Sequence, residues 1–146
     1  MKRRQLMAFV ILLMLAGCGK REHVVPPSLA KLVGTWQLIE PDSSYAVTLT
    51  FTYDNNNPPI DITPFIINGQ SSVNTYTARM FATVDGTMQI NEVVRTEKAG
   101  SAAAMQFEES YLANLKTVVR FESPTENRIH LFHGGAKSGV LVYKKL

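Results

Sequence analysis

The stretch Ile67-Asn68-Gly69-Gln70-Ser71-Ser72-Val73-Asn74-Thr75-Tyr76 decides how the chain is laid out. An apolar run stops at Ile67, gives way to small polar residues, and resumes at Tyr76 with every second residue apolar. Alternation of period two marks a strand with one buried face, so the stretch is a corner between two strands. Gly69 is expected to allow a turn or bulge, and the Asn74 side chain to bond backbone groups at the corner. Tyr76 begins a core-facing row continued by Ala78, Met80, Ala82 and Val84, with Thr77, Arg79 and Thr83 on the other face.

The same alternation recurs upstream. Trp36 and Leu38 alternate with Thr35, Gln37 and Ile39, and Val47, Leu49 and Phe51 with Thr48, Thr50 and Thr52. Residues 41–44 carry turn chemistry and residues 54–59 a loop. Residues 62–67 form a strand interrupted by Pro64, whose missing N–H predicts a sheet edge or a bulge. Downstream of the corner, Asp85-Gly86 is a tight turn. Residues 87–90 return as a paired strand, and Val93-Val94 leads out of the sheet to a loop at residues 96–100.

The period changes at Ser101, which is placed to act as a helix N-cap. Ala104, Phe107, Tyr111, Leu112, Leu115 and Val118 recur at helical spacing, with Glu108, Glu109, Asn114 and Lys116 on the polar side. Glu108 and Lys116 are expected at the surface. Short strands follow at residues 119–122, 128–132 and 140–144, separated by turn residues 123–127 and a glycine-rich hairpin loop at residues 133–139. The order implies an α+β fold: a mostly antiparallel curved sheet or partial β-barrel of about eight strands, with one helix inserted before the last three.

The N-terminus has its own logic. Residues 1–17 run from Lys2-Arg3-Arg4 through an apolar segment of about ten residues to Ala16-Gly17. This is the layout of a secretory signal peptide, too short to span a bilayer as a helix. Leu15-Ala16-Gly17-Cys18 resembles the bacterial lipobox, in which the cysteine sulfur receives diacylglycerol. Cys18 is therefore expected to be the lipidation site and to hold the protein on a membrane. Gly19 replaces the aspartate of the inner-membrane retention signal, which points to the outer membrane, on its periplasmic or surface face. Residues 18–28 read as a tether, stiffened by Pro26-Pro27 into extended geometry that prevents a helix from starting there. Residues 29–146 form the folded domain.

Charge and cysteine narrow the classes further. The net charge is +3, but Lys2, Arg3 and Arg4 supply all of it, and the remaining chain carries twelve basic and twelve acidic residues. A neutral body offers no electrostatic footprint for nucleic acid. Cys18 is the only cysteine, which excludes an intramolecular disulfide and a cysteine metal cage. His130 and His133 would lie on opposite strand faces with no third ligand nearby, so no metal is expected. Gly134-Gly135-Ala136-Lys137-Ser138 lacks the glycine before the lysine and the helix after it that a phosphate loop requires. Glu108 and Glu109 point about 100° apart on a helix and cannot act as a paired acid and base. No serine sits in a nucleophile elbow. Met80, Met88 and Met105 are packing residues. The chain is expected to be no enzyme and to need no cofactor.

Four segments carry a family resemblance. Leu32-Val33-Gly34-Thr35-Trp36-Gln37-Leu38 resembles the opening of META domains, found also in HslJ-like envelope proteins. The segment from Gly69 to Tyr76 resembles their glycine-to-Cys-Asn segment, Phe107 to Leu115 their Glu-x-x-aromatic-Leu-x-x-Leu helix, and Val140-Leu141-Val142-Tyr143-Lys144 their closing strand. The matching positions are Gly34, Trp36, Gly69, Asn74, Tyr76, Tyr111 and Leu115, read as structural. Many members carry a cysteine before the asparagine and another just ahead of the helix; here Val73 occupies the first position and the region of Ala99, Gly100 and Ser101 the second. The resemblance implies a barrel-like sheet with one helix in a non-enzymatic, stress-related envelope protein, and a fold similar to secretin pilot proteins points to an envelope protein partner. Gly34-Thr35-Trp36 is also similar to the start of lipocalins, which makes a small-ligand carrier the alternative. Lipocalins, however, are longer and place their main helix after the eighth strand.

Overall fold

The computed structural model describes residues 24–55, 62–135 and 137–146. The leader with Cys18, residues 18–23 of the tether, and most of the 54–59 loop lie outside these residues. Eight strands follow one another as β1 (Gly34–Glu40), β2 (Thr48–Tyr53), β3 (Thr63–Gln70), β4 (Thr75–Ala82), β5 (Met88–Arg95), β6 (Val118–Thr125), β7 (Arg128–His133) and β8 (Gly139–Lys145). A single helical turn, α1 (Pro27–Ala30), precedes them, and the long helix α2 (Ala102–Lys116) stands between β5 and β6. The strands form one antiparallel sheet in the order β5-β4-β3-β2-β1-β8-β7-β6. The first and last strands thus meet in its middle, where Trp36 lies opposite Lys145 and Leu38 opposite Tyr143.

The sheet curls into a half-barrel because every strand buries one face. Trp36, Leu38, Leu49, Phe51, Phe65, Ile67, Tyr76, Met80, Leu131, Leu141 and Tyr143 fill its concave side, all nearly or fully excluded from solvent. The far edges β5 and β6 come together at one end, through a bridge between Thr87 and Arg120 and a hydrogen bond from Phe121 N to Gly86 O of 2.9 Å. Beyond that point α2 fills the gap, burying Ala104, Tyr111, Leu112 and Leu115. Ser101 caps it as expected, its hydroxyl accepting from Ala104 N.

Five local expectations are corrected. Pro64 lies in β3, which runs between β2 and β4 and is no edge. The β2–β3 register ends at Tyr53 opposite Phe65, so Pro64 falls one residue past that ladder, where β2 requires no N–H of it. Its carbonyl still accepts from Asp54 N. Val93 and Val94 do not leave the sheet: β5 continues to Arg95, opposite Tyr76, with a register shift near Glu92, whose φ is +53°. Val84, placed in the core row, is 66% exposed, because the Asp85-Gly86 turn lifts the chain off the pleat first. Val118, counted with the helical stripe, begins β6, since α2 is closed by Thr117. Finally, a helical turn does start at Pro27, since the first helical position has no N–H to lose. Its Leu29 is buried, and Leu32 O accepts a bond from Trp36 Nε1 at 2.8 Å. Pro26 itself is extended, with φ −59° and ψ 141°.

Phe65 is fully buried, with its ring centroid 6.2 Å from that of Phe51 and 5.1 Å from that of Tyr53. Phe65→Ala is therefore expected to lower unfolding stability by about 3–5 kcal/mol, read from the urea midpoint.

Candidate functional site

The corner between β3 and β4 is bound to α2 by one carboxylate. Glu108, a surface residue by its charge, is instead fully buried. Its Oε2 accepts from the Ser71 hydroxyl, from Asn74 N at 2.8 Å and from Val73 N at 3.3 Å. Its Oε1 accepts from Asn74 Nδ2 at 2.7 Å and from Arg95 Nη1 at 3.2 Å. Burial pushes the Glu108 carboxyl up, but the bonds from Ser71, Asn74 and Val73 outweigh it and hold the group below its usual value of 4.5. Glu108 is thus ionised, with both oxygens occupied from within the chain. This is a fastening, and it leaves no lone pair poised for proton transfer.

Asn74 is what allows the fastening. Beyond its two bonds to Glu108, its Oδ1 accepts from Lys98 N and Thr96 Oγ1, both at 2.7 Å, and its Nδ2 donates to Lys98 O at 3.3 Å. One side chain therefore joins the corner, the helix and the loop after β5; the backbone groups it bonds are those of Lys98 in that loop, where groups of the corner itself were expected. Ser72 Oγ adds a bond to Ala104 O at 2.7 Å. Arg95 spans the two adjacent glutamates, reaching Glu109 Oε1 at 2.9 Å while Glu109 stays 68% exposed. The pair points in different directions, as helical geometry requires.

Gly69 works differently from expectation. It lies inside β3, opposite both Leu49 and Tyr76, and makes no turn. A Cβ there would stand 2.4 Å from the Tyr76 ring and 2.4 Å from Thr48 O, so glycine is needed for close approach. The space it leaves lets Tyr76 reach across β3 and donate to Thr48 O at 3.0 Å. The Tyr76 hydroxyl also lies 2.6 Å from that of Tyr111, which in turn lies 3.1 Å from that of Tyr143. The row ties β4, α2 and β8 together inside the core. Burial pushes all three phenols up, Tyr111 to about 12, and they remain neutral. Leu115 is fully buried beneath the same helix. Gly34 has φ +126°, and a Cβ there would stand 3.2 Å from Lys145 Cε, whose ammonium lies 5.1 Å from the Trp36 ring.

The other candidates stay apart. His133 is buried with its ring against Gly139, whereas His130 is half-buried on the other face of β7 beside Phe132. Residues 134–135 and 137–138 belong to the β7–β8 hairpin connection. Met80 and Met88 are core residues. A groove of about 300 Å³ between β5 and α2 is lined by Val93, Arg95, Glu109, Leu112, Ala113 and Lys116.

Sequence reasoning misses Glu108 because it sorts the helix by residue type. Positions 104, 108, 111 and 115 form a regular buried stripe, and only the charge of Glu108 argues for the other side.

Fold and corner together define the class: an α+β half-barrel domain whose single long helix is locked to the central corner by a buried carboxylate. Residues 30–145 match the family model described as META domain, and the chain belongs to that family. An NMR structure of a protein from Burkholderia xenovorans has the same fold, with a TM-score of 0.58 at 17% identity, covering 89% of this chain and 98% of that one. No curated protein matches the chain.

Because the Glu108 value is lowered on folding, its contribution is present above about pH 4.5 and is lost as pH falls through the folded-state value. Glu108→Gln is expected to cost about 3 kcal/mol at neutral pH and to flatten the loss of stability on acidification, both read from urea midpoints across a pH series. The Val73 position offers a second check, since a Cβ on Gly100 would stand 3.5 Å from that of Val73. That separation suits a disulfide. Val73→Cys with Gly100→Cys, in a Cys18→Ser background, is expected to oxidise spontaneously and to add about 3 kcal/mol, abolished by reductant.

Proposed function

We propose that the chain is a non-enzymatic, lipid-anchored protein of the bacterial cell envelope, whose exposed sheet face or loops bind another envelope protein. The observation that carries this reading is the saturation of Glu108: the one fully buried carboxylate among the described residues is consumed by the chain's own donors. The tyrosines beside it are neutral and bonded to one another. Membership of the META family, whose resemblance implies an envelope role connected with stress, supports the same reading. The leader and lipobox support attachment through acylated Cys18, and Gly19 supports the outer membrane. Among the described residues no helix is long and apolar enough to cross a membrane. The carrier alternative loses ground because Trp36, Phe51, Phe65, Tyr76 and Tyr143 occupy the concave side of the sheet, where a ligand cavity would be needed.

Cys18→Ser is expected to move the protein from the membrane fraction to the soluble fraction and to remove incorporation of labelled palmitate. Unchanged fractionation would refute the anchor. For the binding half, affinity purification from cross-linked membranes is expected to return one reproducible envelope protein, and failure to do so counts against it.

A further inference from the structure

The two mouths of the half-barrel differ. Antiparallel pairing brings the residues before β1, the start of β3, the β4–β5 turn, the β6–β7 turn and the end of β8 to one rim. The short helix α1 closes this mouth, with Leu29 buried and Leu32, just beyond it, buried as well. Four apolar side chains nevertheless face solvent there: Val24 is 82% exposed, Leu146 68%, Val84 66% and Ile62 37%. The other exposed large apolar residues, Ile66, Val94 and Val119, lie within strands. Single exposed apolar residues are ordinary, but a group of them at one end marks a contact surface.

Charge divides along the same axis. The rim near the tether exposes Lys31, Arg128 and Lys144, with Lys145 half-buried beside them, against Asp85 and Glu126. Among the described residues none of these four cations enters an ion pair. Asp85 is met by the Thr83 hydroxyl and by Thr87 N. The opposite rim exposes Glu40, Asp42 and Glu97 against Lys98 and Lys137. Covalent length separates the rims further. Val24 follows Cys18 by six residues, so the two are at most about 20 Å apart. The strands add about 20–27 Å between one rim and the other. A chain held at Cys18 keeps the apolar, cationic rim within reach of the headgroups and the acidic rim a strand's length further out.

We propose that this rim rests on a phospholipid bilayer, with Val24, Ile62, Val84 and Leu146 among the headgroups and Lys31, Arg128 and Lys144 against anionic phosphates. Apolar tips flanked by cations are the composition of an interfacial contact. The contact rests on the anchored reading proposed above and deepens it. The anchor supplies attachment, and the rim supplies orientation, leaving the opposite rim clear of the lipid.

The test uses the full chain, reconstituted from detergent into vesicles of phosphatidylethanolamine and phosphatidylglycerol that carry a nitroxide-labelled lipid. An environment-sensitive maleimide dye is placed at Val84→Cys or Leu146→Cys, with Asp42→Cys on the opposite rim as the control. Mass spectrometry counts the dye: one per chain where Cys18 is acylated and two where it is not, so failure of the anchor is read separately from failure of the rim. In the second case the signal of the unmutated chain, labelled at Cys18 alone, is subtracted. The dye at Val84 and Leu146 is expected to emit further to the blue and to be quenched by the nitroxide, whereas the dye at Asp42 stays bright. With the dye at Leu146, Lys144→Glu should shift the contact equilibrium away from the lipid about tenfold, and Val84→Asp should shift it in the same direction. Thermal melts check that each variant is folded. A vesicle-bound chain whose three labels are quenched alike or not at all overturns the proposal, as does quenching indifferent to both Lys144→Glu and Val84→Asp. A chain that stays off the vesicles overturns the rim contact and the anchor together.

Discussion

A carboxylate removed from water is unfavourable by several kcal/mol unless its lone pairs are met. At Glu108 they are met by five donors on two separate segments: Ser71, Val73 and Asn74 at the β3–β4 corner, and Arg95 at the end of β5, all converging on a helix residue. Neither segment has a neighbour in sequence that could substitute. The corner can take its shape only with the helix in place, and the helix can bury its acidic residue only against that corner. The rest of the packing follows from this mutual requirement.

The row of tyrosines repeats the logic in the core itself. Gly69 gives up a side chain so that Tyr76 can lean across β3 to a carbonyl of β2, and Tyr76 then meets Tyr111 on α2 and, through it, Tyr143 on β8. Three phenols could not be buried singly without leaving polar atoms unsatisfied. Chained together they link strands far apart in the sheet to the long helix. Phe107 extends the contact, its ring centroid 4.6 Å from that of Tyr45. The helix is thereby the keystone of a sheet that does not close on itself, and the unclosed side is where the chain's surface is least finished.

Much of the architecture is legible from local signals. Period-two alternation at Trp36, Leu49 and Tyr76 and the shift to helical spacing after Ser101 each produce the element expected of them. Pro64 and Val93 are misread because strand ends and interior ladders depend on which neighbour is present, and neighbours are not local. Gly69 reads as a turn residue for the same reason: glycine signals that something needs room, but not whether that something is the backbone or the ring of Tyr76.

What the amino-acid sequence determined by itself was therefore the inventory: about eight short strands, one long helix, their order, and most of the faces they turn inward. These follow from side-chain periodicity and turn chemistry, which act over a few residues. Only the tertiary structure decided that Glu108 lies inside, that Asn74 joins three segments at once, and that Val73 rests over Gly100. A charged residue looks solvent-facing until its partners, from 13 to 37 residues away along the chain, are brought to it. Folding supplies those partners, and with them the reason the residue is there.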